Sequence, residues 1–263
     1  MKEIVRFELK RNFKALLVWS LCAGGLSAMG YLEYAFVFRS NADIGAIMGA
    51  LPDTLTTLLG ITSHVDFSTA PGFFCLMSDF AFYVLAAYAV LLGAKLVSSE
   101  ETDRTADFLY SRPLSRRAVL AAKGGAGAGL CILMSLVNLA VCIFTYGTAP
   151  GLLGAVLAAA AGSVLMQFLY LTAGAWLASL CRHPDRAGSL ALLFLFATVF
   201  DGKLLAMAGI TAGPLLAFSG RDYFPVERWL YGGGFGLWPW LLSAGLAALF
   251  ACLLLRRYEK RDL

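Results

Sequence analysis

Six long, unbroken apolar runs constrain this chain more than any other feature. They cover about residues 15–37, 73–98, 119–146, 152–180, 188–209 and 235–255. Each is long enough to cross a bilayer, which takes about 20 mostly apolar residues per helix. The runs are continuously apolar and do not alternate, so they predict helices and not barrel strands. The composition agrees: 59% of the 263 residues are hydrophobic and 14% are charged, whereas a soluble domain is nearer a quarter charged. The expected fold is an all-α integral membrane protein, a single transmembrane domain over 1–263 with no room for a large soluble one.

The basic residues set the expected orientation. Seventeen of the 21 Lys and Arg fall in the N-terminal arm, the second-to-third and fourth-to-fifth connections, and the tail. Only Arg39, Arg221 and Arg228 lie in the opposite connections, and Lys203 lies inside a run. By the positive-inside rule both termini and the charged connection face the cytoplasm, which an even number of spans allows. Residues 1–13 mix Ile4, Val5, Phe7, Leu9 and Phe13 with Lys and Arg, as does an interfacial helix on the inner leaflet. The start of the chain does not read as a cleaved signal.

Two connections predict further elements. Between 38 and 72, apolar residues from Ile44 to Leu59 recur at three- and four-residue steps, the pattern of an amphipathic helix interrupted near Pro52. Between 210 and 234, Gly, Pro and aromatic residues predict a turn or a re-entrant elbow at the membrane edge. The pairs Gly24/Ala28 and Gly125/Gly129 suit close helix packing. The six cysteines lie in or at the ends of apolar runs with no metal spacing, and read as free thiols.

The second-to-third connection is the polar exception. In SSEETDRTADFLYSRPLSRR, Ser98 or Ser99 fits an N-cap, with Glu101 three residues after Ser98 as a capping-box partner. Glu100, Glu101 and Asp103 then sit where acids favour the helix dipole. Ala106, Phe108, Leu109 and Tyr110 form an apolar patch, Pro113 ends the segment, and Ser115 caps the next helix. A short cytosolic helix with an acidic start, apolar middle and basic end suits docking in a groove on a soluble partner.

This run is similar to the cytoplasmic loop of ABC transporter permeases of the type-2 exporter class. The matching positions are Glu101, Thr105, Asp107 where the family usually has Glu, Leu109, Ser111, Pro113, Ser115, Arg116 and Lys123. Arg104 departs, standing where the family favours Gly. The opening FELKRNFKALLVW and the closing RRYEKRDL also resemble the family's ends, so the similarity spans the chain. The resemblance implies that the loop is a coupling helix, with Glu101, Arg104, Asp107, Phe108, Leu109 and Arg112 as its partner-binding residues. It implies a separate ABC ATP-binding subunit in two copies, and a second copy of the permease or a sister permease. ATP and Mg would sit on that partner subunit and no cofactor on this chain. A bacterial cell membrane is the expected location, and no nucleic acid is an expected partner.

No catalytic or metal residues are assigned. There is no GxxxxGK[ST] phosphate loop, and GGAGAG at 124–129 follows no strand and reads as helix packing. Glu100-Glu101 sits in a loop and the two histidines, His64 and His183, lie in other loops, so a metal protease lacks its ligands. The chain itself is not expected to be an enzyme. Glu33, Asp79, Asp201 and Lys203 fall in the outer half of the spans, and ionisable residues there point to a translocation cavity or to structural pairing. Two function classes fit: an exporter permease driven by a separate ATPase, or a non-ABC membrane protein such as an ion-coupled secondary transporter, a sensor or an assembly factor. Drug, peptide antibiotic, lipid-linked glycan and ion export all suit such a scaffold.

Overall fold

The computed structural model describes residues 2–40, 50, 52, 55–56, 65–66, 69–102, 115–181, 183–208, 223–232, 234 and 236–259, without the side chains of residues 37–40, 101, 206 and 259. These residues form helices and no strand: α1 (Lys2–Ser40), α2 (Ala70–Thr102), α3 (Arg116–Tyr146), α4 (Leu152–Leu180), a 3-10 turn (Pro184–Arg186), α5 (Ala187–Met207), a short α6 (Val226–Tyr231) and α7 (Leu237–Glu259). Six of them, α1 to α5 and α7, are long and apolar enough to cross a membrane. The amphipathic helix expected between 44 and 59 lies outside the described residues for the most part.

α2 and α4 form the centre of the bundle. α1 packs on α3 and α2, α5 packs on α2 and α4, and α7 packs on α4. α2 is apolar around its whole circumference, as suits a helix covered on most sides. Lipid tails are as apolar as leucine, so association here rests on close packing and interhelical hydrogen bonds. α2 and α4 approach closely at two glycines. A Cβ on Gly93 would fall 2.0 Å from the Leu171 carbonyl oxygen, and one on Gly174 would fall 2.2 Å from that of Val90. These two backbones touch because neither glycine carries a side chain.

The expected small-residue pairs divide. Gly24 lies against Val141 of α3, with an added Cβ 3.2 Å from its Cγ2. Gly125 and Gly129 are exposed, with nothing within 4 Å of an added Cβ. The glycine of GGAGAG that packs is Gly127, against Leu96 and Leu171. All six cysteines are free.

α1 runs without a break, so the amphipathic 1–13 stretch is the first part of one long helix and not a separate element. At 1.5 Å per residue its 39 residues extend ~58 Å, well beyond the ~30 Å hydrocarbon core. Its early turns therefore reach into the interface. Their amphipathy is turned inside out relative to a soluble helix: Glu8 and Asn12 are buried against the bundle while Phe7 and Phe13 are exposed.

The opposite end is closed by aromatics. Tyr146 packs against Tyr31 and Phe74 with ring centroids 5.4 and 5.1 Å apart. In the elbow before α7, Phe224 is buried, stacks edge-on against Trp240 at 4.8 Å and seats on Gly162 of α4. The described part of that elbow carries the short α6, whose Trp229 and Tyr231 are exposed.

Candidate functional site

Four buried or part-buried charges meet where α1, the end of α2 and the start of α3 come together. Lys123, one of the largest fully buried side chains, lies on the second turn of α3. Its Nζ donates to the Leu96 carbonyl oxygen at 2.7 Å and forms an ion pair with Glu100, two residues before the end of α2. On α1, Glu8 accepts from Arg11 at 3.0 and 2.7 Å through its two carboxylate oxygens. Arg11 also donates to Ser99 Oγ on α2 at 2.7 Å. Asn12 donates to the Glu8 carbonyl oxygen at 3.0 Å and to its carboxylate at 3.3 Å. Glu8 lies within electrostatic reach of both Lys123 and Glu100.

The local sequence explains the convergence. Glu8, Arg11 and Asn12 stand three and four residues apart, so they share one face of α1. Ser99 and Glu100 close the last turns of α2, and Lys123 projects from α3 towards them. Two acids and two bases make the cluster formally neutral, so each buried charge has an opposite charge to offset part of its desolvation cost. Removing one partner of such a pair leaves an uncompensated buried charge, at a cost of about 3–5 kcal/mol. The cluster joins both ends of the 103–114 connection to each other and to α1.

The expected docking residues divide by position. Glu101 lies in the last turn of α2, and Arg104, Asp107, Phe108, Leu109 and Arg112 lie outside the described residues. The expected capping role of Ser98 or Ser99 is corrected. α2 continues unbroken through both to Thr102, so no helix starts there. Ser98 Oγ donates back to the Ala94 carbonyl oxygen at 3.0 Å, and Ser99 accepts from Arg11. A polar side chain inside a long buried helix finds a partner on its own backbone or on a neighbour without breaking the helix. Ser115 does cap α3: its backbone is extended and its Oγ accepts from the Ala118 N–H at 3.2 Å.

The four charges expected in the outer half sit on three helices. Glu33 on α1 is exposed, Asp79 on α2 and Asp201 on α5 are half-buried, and Lys203 on α5 is buried. One carboxylate oxygen of Asp201 is buried without a hydrogen-bond partner among the described residues. A different polar track runs through the bundle nearby. Ser27 donates to Asn138 Oδ1 at 3.1 Å, Gln167 donates to Ser135 Oγ at 2.5 Å, and Ser135 and Ser163 share a hydrogen bond of 3.2 Å.

Glu8, Arg11 and Asn12 were not singled out from sequence, Ser99 was read only as a possible cap, and Glu100 was assigned to a helix start. The signal of Glu8, Arg11 and Asn12 was their three- and four-residue spacing on one face of α1.

The chain belongs to the ABC-2 family of transporter permeases: the family model described as ABC-2 family transporter protein matches residues 11–218. That match spans α2, α3, the connection between them and most of the charge cluster. Among curated protein sequences none matches this chain. The family and the six apolar helices together define a multi-pass membrane transporter permease subunit, of a kind that pairs in general with an ATP-binding subunit.

Proposed function

We propose that this chain is the membrane-spanning subunit of an ATP-driven exporter and that its 103–114 connection is the surface engaged by the ATP-binding partner. ATP and Mg bind on the partner, and this chain performs no chemistry of its own. The observation that carries the reading is the Glu100–Lys123 pair, buried at the base of that connection inside the family-matched segment. Because Lys123 ties α3 to α2, and Arg11 ties α1 to α2, a push on the connection moves three helices as one body. Without these ties it would bend one helix end. Rigid-body motion of packed elements is how small displacements at an effector surface become large ones at a distance.

The assembly holds two ATP-binding subunits and two permeases, either two copies of this chain or one with a sister permease. One coupling surface per chain serves one ATPase, which argues for the twofold arrangement. The distribution of Lys and Arg favours both termini on the cytoplasmic side of a bacterial cell membrane. Asp79, Asp201, Lys203 and Glu33 line the outward cavity from which substrate leaves. The class of substrate stays broad: drugs, peptide antibiotics or lipid-linked molecules.

The test is the mass of the detergent-solubilised complex, with ATPase and transport measured on the same preparation. Two permeases with two ATPases are expected. A stable single permease that transports without an ATPase contradicts the reading.

A further inference from the structure

Near the charge cluster, an apolar groove of about 450 Å³ opens between α3, α4 and α7. It exists because the facing positions are small. Gly124 and Ala128 on α3 and Ala248 on α7 leave a gap that Leu120, Leu171 and Leu255 line. Gly124 and Ala248 are exposed, so the groove opens sideways toward the surrounding lipid. Lys123 lies at its edge but turns its ammonium to Glu100, leaving the lining almost wholly aliphatic.

Shape decides what fits. The lining spans about eight residues of α3 and of α7, or ~12 Å at 1.5 Å per residue. An apolar channel of that length accommodates a hydrocarbon chain. Basic residues flank the lining in sequence, at the start of α3 and at the end of α7. Arg117 lies one turn before Leu120 and Ala121 on the same face of α3, and Arg256 and Arg257 follow Leu255 in the last turn of α7. All three are exposed. Long arginine stems lie along apolar surface while the charged head stays at the polar boundary.

We propose that this groove is a binding site for one anionic phospholipid, its acyl chain lying between α3, α4 and α7 and its phosphate held by the arginines at the mouth. The site depends on membrane insertion and not on ATP coupling or on which leaflet faces this end of the bundle. It therefore stands or falls separately from the transport reading.

The test uses the full chain reconstituted in vesicles of equal phosphatidylglycerol and phosphatidylcholine, extracted in mild detergent and weighed by native mass spectrometry. One phosphatidylglycerol per chain is expected, favoured over phosphatidylcholine by roughly fivefold for each arginine engaged. Gly124→Leu projects a side chain from the groove wall, starting from a Cβ with no described atom within 4 Å, and its thermal unfolding is measured beside that of Gly125→Leu. It should lower retained lipid by roughly tenfold or more, as displacing two or more buried methylenes implies. Gly125→Leu, equally unobstructed but off the groove, should leave retention unchanged. Arg117→Gln with Arg256→Gln and Arg257→Gln should abolish the headgroup preference while lipid is still held. Equal retention of the two lipids by the unmodified chain overturns the proposal, as does retention by Gly124→Leu equal to that of Gly125→Leu. So does a Gly124→Leu variant that loses a second copy of the chain while its lipid content is unchanged.

Discussion

Lys123 on α3 reaches the Leu96 carbonyl oxygen and the Glu100 carboxylate on α2, so one buried side chain joins the two helices that flank the charged connection. Leucine or methionine at this position would satisfy hydropathy equally well. A lysine there has a different consequence: the end of α2 cannot leave α3 without exposing or stranding a charge.

Lys123→Met should therefore destabilise the folded bundle by about 3–5 kcal/mol, because it leaves Glu100 buried and unpaired. Adding Glu100→Gln should recover much of that loss, with a coupling between the two sites of about 1–3 kcal/mol. Thermal unfolding of the four members of the cycle in detergent measures it. Additive losses would mean that the two residues do not act as a pair.

The α2–α4 crossing gives a contrast in sign between glycines. Gly93→Ala places a methyl 2.0 Å from the Leu171 carbonyl oxygen, and forcing apart two packed backbones costs about 1–3 kcal/mol. Gly125→Ala meets nothing within 4 Å and should stabilise α3 by up to about 1 kcal/mol through helix propensity. Unfolding midpoints of the two variants, compared with the unmodified chain, decide it.

Orientation is testable without transport. Single cysteines at Ser111 and Lys260, in a background free of the natural thiols, should be labelled only in permeabilised cells. A cysteine at Ser40 should be labelled in intact cells. The reverse pattern would overturn the assignment made from the basic residues.

The outer charges separate transport from assembly. Asp79→Asn and Asp201→Asn should each lower transport severalfold while basal ATP turnover and complex mass stay near normal, provided both face the outward cavity. Loss of the folded complex in either variant would make that residue structural. Unchanged transport in both would remove them from the export path.

Hydropathy made the spans legible because lipid demands about twenty apolar residues wherever a helix crosses. The observed helices overrun the apolar windows at most ends, since hydropathy sees the lipid-buried part and not the turns beyond it. The continuous α1 shows the difference: its polar early turns are tied to α2 by Arg11–Ser99, a contact between segments that no local window contains. Ser98 was misread for the same reason. A Ser followed by Glu three residues later looks like a helix start, yet the carbonyl of Ala94 was already in place to receive its hydroxyl. Lys123 was visible as a family position, but its partners Glu100 and Leu96 were not, because contacts across 23 and 27 residues are a property of the packed helices. Ser115 was legible because an N-cap is local.

The most direct measurement of the coupling claim replaces the apolar patch of the charged connection. Phe108→Ala with Leu109→Ala removes two side chains, each worth about 1.5–3 kcal/mol if fully buried in a partner groove. The account predicts that the six spans still insert, that copurified ATPase falls sharply, and that transport per ATP hydrolysed falls with it. Retention of both at the level of the unmodified chain would contradict the assignment of this connection as the coupling surface.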